Sequence, residues 1–207
     1  MVFSPESERR HHGLLEEWTF EVWSPDSALG AYTTLVVRPD GTTWYAAAVV
    51  RSGEPLIHVC EPAGPVLRNV DALLLKAEGL WAEHECESPF EQWTIANETY
   101  GVELDDPTEA LGRAYGSPAP VAFDWEWYAA SAPVMIDGGY RQLGSASVVI
   151  ELGGGSVNAE LEAARTHRWG SFDFATAPPD VVGLSAPFRY GSLVVDRRLT
   201  IDGWTLL

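Results

Sequence analysis

Residues 121–129 read VAFDWEWYA. Side chains alternate between the two faces of a strand. One face of this stretch carries Val121, Phe123, Trp125, Trp127 and Ala129, and the other Ala122, Asp124, Glu126 and Tyr128. The first set belongs in a core and the second suits water. A strand with one dry and one wet face is the mark of an antiparallel sheet.

The alternation recurs downstream. Over 140–152 the apolar row is Tyr140, Gln142, Gly144, Ala146, Val148, Ile150 and Leu152. Over 156–169 it is Val157, Ala159, Leu161, Ala163, Arg165, His167 and Trp169. Gly153-Gly154-Gly155 joins these two runs as a hairpin. Further strands are expected over 15–23, 31–38, 42–51, 55–60, 72–85, 90–104, 188–196 and 199–206, punctuated by turns such as Pro39-Asp40-Gly41. One short helix is expected over 107–115, capped by Asp106 with Pro107 at its first position. Long alternating antiparallel strands close into barrels because closure removes exposed edges. The chain thus reads as all-β, an antiparallel β-barrel with at most one or two short helices. Residues 1–13 read as a flexible polar tail and 14–207 as a single barrel domain.

Composition narrows the function classes. The formal net charge of −17 disfavours phosphate backbones and anionic membrane surfaces, so neither nucleic acid nor membrane insertion is expected. No segment approaches the roughly 18 apolar residues that span a bilayer. The N-terminus has no apolar signal-peptide core, and Cys60 and Cys86 make no disulfide framework. A cytoplasmic protein is the expectation, and a homodimer is left open. Nine tryptophans are many for 207 residues. A small barrel either fills its interior with such side chains or holds one small ligand there.

The stretch Arg165–Phe174, RTHRWGSFDF, carries the candidate chemistry. Arg165, His167 and Trp169 share the inward face at a strand end, beside Tyr140 and Gln142 on the neighbouring strand. His167 is the expected acid–base group or orienter, with Arg165, Tyr140 and Gln142 holding a polar group. The alternative is a structural His packed on Trp. Phe123, Trp125, Trp127, Trp169 and Tyr190 are expected to line a ligand pocket. Asp196 ends the row Phe188, Tyr190, Ser192, Val194 and is the reserve proton donor, since a carboxylic acid in an apolar pocket keeps its proton. The irregular connection over 171–186 has the length of a lid or binding loop. In Glu83-His84-Glu85-Cys86-Glu87 only His84 and Cys86 share a face, and two ligands do not make a zinc site. His11-His12 reads as part of the solvated tail. Neither a metal nor another cofactor is expected.

The run Gly139-Tyr140-Arg141-Gln142-Leu143-Gly144, followed by Arg165-Thr166-His167-Arg168-Trp169-Gly170, resembles the hydroxyneurosporene synthase family. This is the AttH-like, lipocalin-like group that includes the carotenoid hydratases, whose members carry a Tyr-x-Gln-x-Gly strand and then Arg-x-His-x-Trp-Gly. The resemblance covers Leu73 to Trp169. Family members are usually longer, with two β units, and carry a charged pair and an aromatic where this chain has Ser171, Phe172, Asp173 and Phe174. The resemblance implies a lipocalin-like barrel for isoprenoid-like molecules, and in some members acid-catalysed addition of water to an alkene. The expected function is an enzyme that binds a hydrophobic unsaturated molecule, isoprenoid- or polyketide-like, and catalyses its hydration, cyclisation or isomerisation. The alternative is a non-catalytic carrier or sensor of an apolar ligand.

Overall fold

The structure, a computed structural model, describes residues 3–26, 28–51, 53–67, 72–105 and 115–171, and the backbone of four short strands further on. Eleven strands form one sheet: β1 (Leu15–Trp23), β2 (Leu29–Val37), β3 (Thr43–Arg51), β4 (Leu56–Gly64), β5 (Leu73–Ala77), β6 (Leu80–Ser88), β7 (Gln92–Leu104), β8 (Ser117–Ala129), β9 (Val134–Ile136), β10 (Gly139–Leu152) and β11 (Gly155–Gly170). The order is β4-β3-β2-β1-β11-β10-β8-β7-β6-β5, with β9 beside β10. All pairings are antiparallel, and β4 also pairs with β7, so eight strands form a hydrogen-bonded ring. The all-β barrel expected from alternation is the fold observed.

The alternating rows fill the interior. Val121, Phe123, Trp125 and Trp127 of β8 are buried while Asp124, Glu126 and Tyr128 are exposed. Ala146, Val148 and Ile150 of β10 and Leu161 and Ala163 of β11 join the same core, with Trp18, Phe20 and Val22 of β1. In β1, β2 and β3 both faces are buried, so a two-residue period in burial is lost there.

Several elements differ from the sequence reading. The single strand expected over 72–85 is a hairpin, β5–β6, which turns at Gly79 with φ 71°. That positive φ suits glycine, which has no Cβ to clash. The strands expected over 188–196 and 199–206 are likewise two hairpins, β12 (Phe188–Tyr190) with β13 (Leu193–Val195) and β14 (Arg197–Thr200) with β15 (Gly203–Leu206). The helix expected over 107–115 lies outside the described residues up to 114, and Tyr115 is not helical; the connection expected over 171–186 lies outside them after Ser171. Among the described residues, helix is confined to a 3-10 turn, Pro5–Glu8. That turn lies in the segment read as a free tail, yet Glu8 is buried against the barrel. No helix among the described residues is long and apolar enough to cross a membrane.

Candidate functional site

The hairpin β10–β11 sets the site. Its register places Tyr140 opposite His167 and Gln142 opposite Arg165, all pointing inward at one end of the barrel. Gly139 makes this possible. A Cβ there would collide with the His167 carbonyl, so only glycine lets the strands approach so closely.

A buried polar network occupies this end. The Arg165 guanidinium donates to both carboxylate oxygens of Glu8, at 2.9 and 2.6 Å. It also donates to Gln142 Oε1 at 2.7 Å and to the Tyr140 hydroxyl at 3.1 Å. Gln142 is fixed in turn, since its Nε2 donates to the carbonyls of Phe90 and Ser131. The guanidinium packs over Trp127, 5.0 Å from the ring centroid, where the ring's negative face favours a cation.

His167 sits between two partners. Its Nδ1 is 3.3 Å from the Tyr140 hydroxyl, and its Nε2 is 2.8 Å from Glu16 Oε1. The same Glu16 oxygen lies 2.9 Å from His11 Nδ1, while the His11 backbone N–H donates to Glu16 Oε2 at 2.9 Å. Trp18 stacks on His167 and Trp169 stacks on His11, with centroids 4.7 and 4.2 Å apart.

Burial sets the protonation here. It pushes the Glu16 carboxyl up to about 8, against the opposing pull of the His11 amide and Arg10. Burial first, and the nearby Arg165 charge second, hold His167 well below the ordinary imidazole value. At neutral pH the pair is therefore a carboxylic acid beside a neutral imidazole, with Glu16 able to donate to Nε2. His11 Nδ1, Glu16 and His167 also place one potential metal-ligand atom each within 4.8 Å of one another.

A cavity of about 500 Å³ opens beside this network. Its walls include Trp18, Trp93, His84 and Cys86, and Pro5, Glu8, Arg9 and Arg10 of the N-terminal segment border it. The lining mixes indole with charged groups. The indole N–H groups of Trp18 and Trp93, His84 Nδ1 and Arg10 Nε are buried without a hydrogen-bond partner. Burial alone lowers the His84 pKa to about 3, so His84 is neutral.

The structure thus brings together Arg165, His167, Tyr140, Gln142 and Trp169 of the expected set. Trp125 and Trp127 are core residues instead, and they line none of the described cavities. Phe123 stacks on Trp125, with centroids 4.5 Å apart. Asp196 and the Tyr190 side chain lie outside the described residues. Sequence reasoning missed Glu8, His11, Glu16, Trp18, His84 and Trp93 as members of this region. For Glu16 and Trp18 a signal existed, since both fall on the inward row of β1 with Phe20 and Val22. For Glu8 and His11, in a segment without periodicity, there was none. No protein-family model matches the chain, and no curated protein matches it.

Proposed function

We propose that this barrel binds a flat, conjugated or aromatic small molecule that carries hydrogen-bond acceptors, in the cavity between Trp18, Trp93 and His84. The observation that carries the reading is the mixed lining of that cavity, where Trp18, Trp93 and His84 stand beside the charged Glu8, Arg9 and Arg10. Arg9 and Arg10 at its border offer N–H donors to the acceptors of such a ligand. Trp18 and Trp93 are each 1% exposed, so a flat ligand would reach the indole faces as the bordering side chains move aside. The mixed lining favours a polar-decorated ligand over a plain hydrocarbon, which narrows the isoprenoid- or polyketide-like molecule expected from sequence. A carrier or sensor needs only this pocket.

Titration with a conjugated polyene fatty acid and with a polycyclic quinone tests the proposal. Saturable one-to-one quenching of tryptophan fluorescence is expected, weakened about tenfold in Trp93→Leu, since a lost aromatic wall is worth about 1.4 kcal/mol. Absence of saturable binding by both probes would reject it.

A second reading, the enzyme, is favoured by the 2.8 Å contact between the buried Glu16 carboxyl and His167 Nε2. Glu16 is a carboxylic acid held protonated near neutrality beside the neutral base His167. Hydration, cyclisation or isomerisation of an unsaturated substrate needs such an acid, and Glu16 would take the role that sequence assigned to Asp196. The resemblance to the carotenoid hydratases points the same way. This reading ranks second because Glu16 and His167 do not line the cavity, whereas the Trp18 indole that stacks on His167 does. Mass spectrometry of co-purified material after incubation with wild type and Glu16→Gln separates the two. Product formed only by wild type makes the protein an enzyme, and unchanged ligand in both makes it a carrier.

A further inference from the structure

We propose that His11, Glu16 and His167 form a binding site for a zinc-class divalent cation at the end of the barrel. The three residues come from separate elements: the N-terminal segment, the start of β1 and the end of β11. Their potential ligand atoms converge within 4.8 Å. His11 Nδ1 and His167 Nε2 both approach Glu16 Oε1, at 2.9 and 2.8 Å. Zinc takes imidazole nitrogen and carboxylate oxygen at about 2.0–2.2 Å, which places the ligand atoms of a tetrahedral site about 3.4 Å apart. Lengthening each of the two His–Glu contacts by about 0.5 Å brings them to that spacing and admits the ion. Two nitrogen donors argue for zinc or a neighbouring transition ion, and against calcium or magnesium, which take oxygen.

Groups around the three ligands hold them in position. A ligating imidazole commonly offers its other nitrogen to a hydrogen-bond partner, which fixes the ring and its tautomer. His167 Nδ1 faces the Tyr140 hydroxyl at 3.3 Å, so Nε2 is the nitrogen turned toward Glu16. Glu16 Oε2 is held by the His11 backbone amide, which turns Oε1 toward both rings. Trp169 and Trp18 stack on the two imidazoles and limit their rotation. Arg165 brings positive charge nearby, but its bidentate pairing with Glu8 neutralises it. The His11 side chain is 25% exposed, which leaves an entry path and room for water in the remaining coordination positions.

This inference does not depend on the cavity reading. It competes with the enzyme reading for Glu16, since a metal-bound carboxylate is no longer a proton donor. The test uses the full chain after treatment with a chelator. Titration with zinc chloride is followed by calorimetry, and cobalt(II) is added as a visible-absorption probe of the ligand field. One zinc per chain is expected, with a Kd of about 1 μM or tighter. His11→Ala should weaken binding at least about a hundredfold, Tyr140→Phe about tenfold by loss of the orienting partner, and His12→Ala not at all. Circular dichroism of each stripped variant checks its fold, and Glu16→Gln serves where His11→Ala does not fold. Failure of the stripped wild type to bind stoichiometrically would overturn the site. So would zinc binding that His11→Ala and Glu16→Gln both leave within threefold of wild type.

Discussion

Arg165 shows how a buried charge is tolerated in this barrel. Its guanidinium is 1% exposed and meets Glu8, Gln142 and Tyr140 together. Removing Glu8 would leave that cation in the dry interior with only neutral partners. Loss of one member of a buried ion pair costs about 3–5 kcal/mol. Glu8→Ala is therefore expected to destabilise the fold by that amount in urea unfolding. Arg9→Ala is the control, because Arg9 pairs with Glu6 at 3.3 Å on the surface, where removal changes stability by no more than about 0.5 kcal/mol. Equal effects of the two substitutions would show that Glu8 is not the counter-ion. A second residue-scale expectation concerns His84. It is buried and neutral, with a folded pKa lowered to about 3 by burial, against an unfolded value near 6.5. The unfolded chain then takes up a proton in the window between these values and the folded chain does not. The stability contributed by neutral His84 is complete above pH 6.5 and falls by up to about 1.4 kcal/mol per pH unit down to about 3. Unfolding measured for wild type and His84→Gln between pH 7 and 4.5 should give a difference that shrinks as pH falls. A constant difference would mean that His84 already carries its proton when folded. The grouping of Arg165, His167, Tyr140 and Gln142 was legible in the sequence because a short glycine hairpin fixes the register of β10 on β11. The partners Glu8 and His11 were not, because their contacts follow from where an aperiodic segment lands, which no local pattern encodes.

At the scale of the element, the close approach of β10 to β11 rests on glycine. A methyl group at Gly139 would meet the His167 carbonyl and the Arg168 backbone rather than a movable side-chain end. The strands must then separate at the position that aligns Tyr140 with His167. Gly139→Ala is expected to cost about 1–3 kcal/mol, the usual range for forcing extra volume into a packed region. It should also break the bond between the Tyr140 hydroxyl and His167, a change visible in the imidazole NMR shifts of His167. Wild-type stability and shifts in Gly139→Ala would show that the ladder has slack there. Strands β8 and β10, and β11 as far as Glu162, were readable residue by residue, since each keeps one face wet there, whereas both faces of β11 are buried from Ala163 to Arg168. Strands β1 to β3 were harder to assign to faces, because burial of both sides erases the contrast that alternation depends on. The β5–β6 hairpin was read as one strand because its turn contains a single glycine, Gly79, between two runs of strand-forming residues.

At the scale of the whole molecule, the ring is closed unevenly. Fourteen residue pairs join β10 to β11, from Gly139–Arg168 to Leu152–Gly155. The ring is completed by only three pairs between β4 and β7, from Leu56–Leu104 to His58–Val102. The cause lies in β7, which gives most of its length to β6, over Gln92–Thr99, and only its last residues to β4. Where β4 and β6 part, a cleft of about 370 Å³ opens between Cys60, Glu61, Leu80 and Tyr100. Few hydrogen bonds and solvent on the flank mark a region that opens before the rest. Amides of Leu56–His58 and Val102–Leu104 are therefore expected to exchange with solvent through a local opening well below the global unfolding free energy. Those in the middle of β10 and β11 should exchange only on global unfolding. Gly101 sits at the edge of this seam, and a Cβ there would stand 2.8 Å from the His58 carbonyl. Gly101→Ala should push β4 off β7, raising exchange at the seam at least about tenfold with little change in β10–β11. Hydrogen exchange followed by mass spectrometry reads both regions in one experiment. If the seam and the β10–β11 hairpin exchange together in wild type, the barrel opens as one unit and the short pairing is not its weak point.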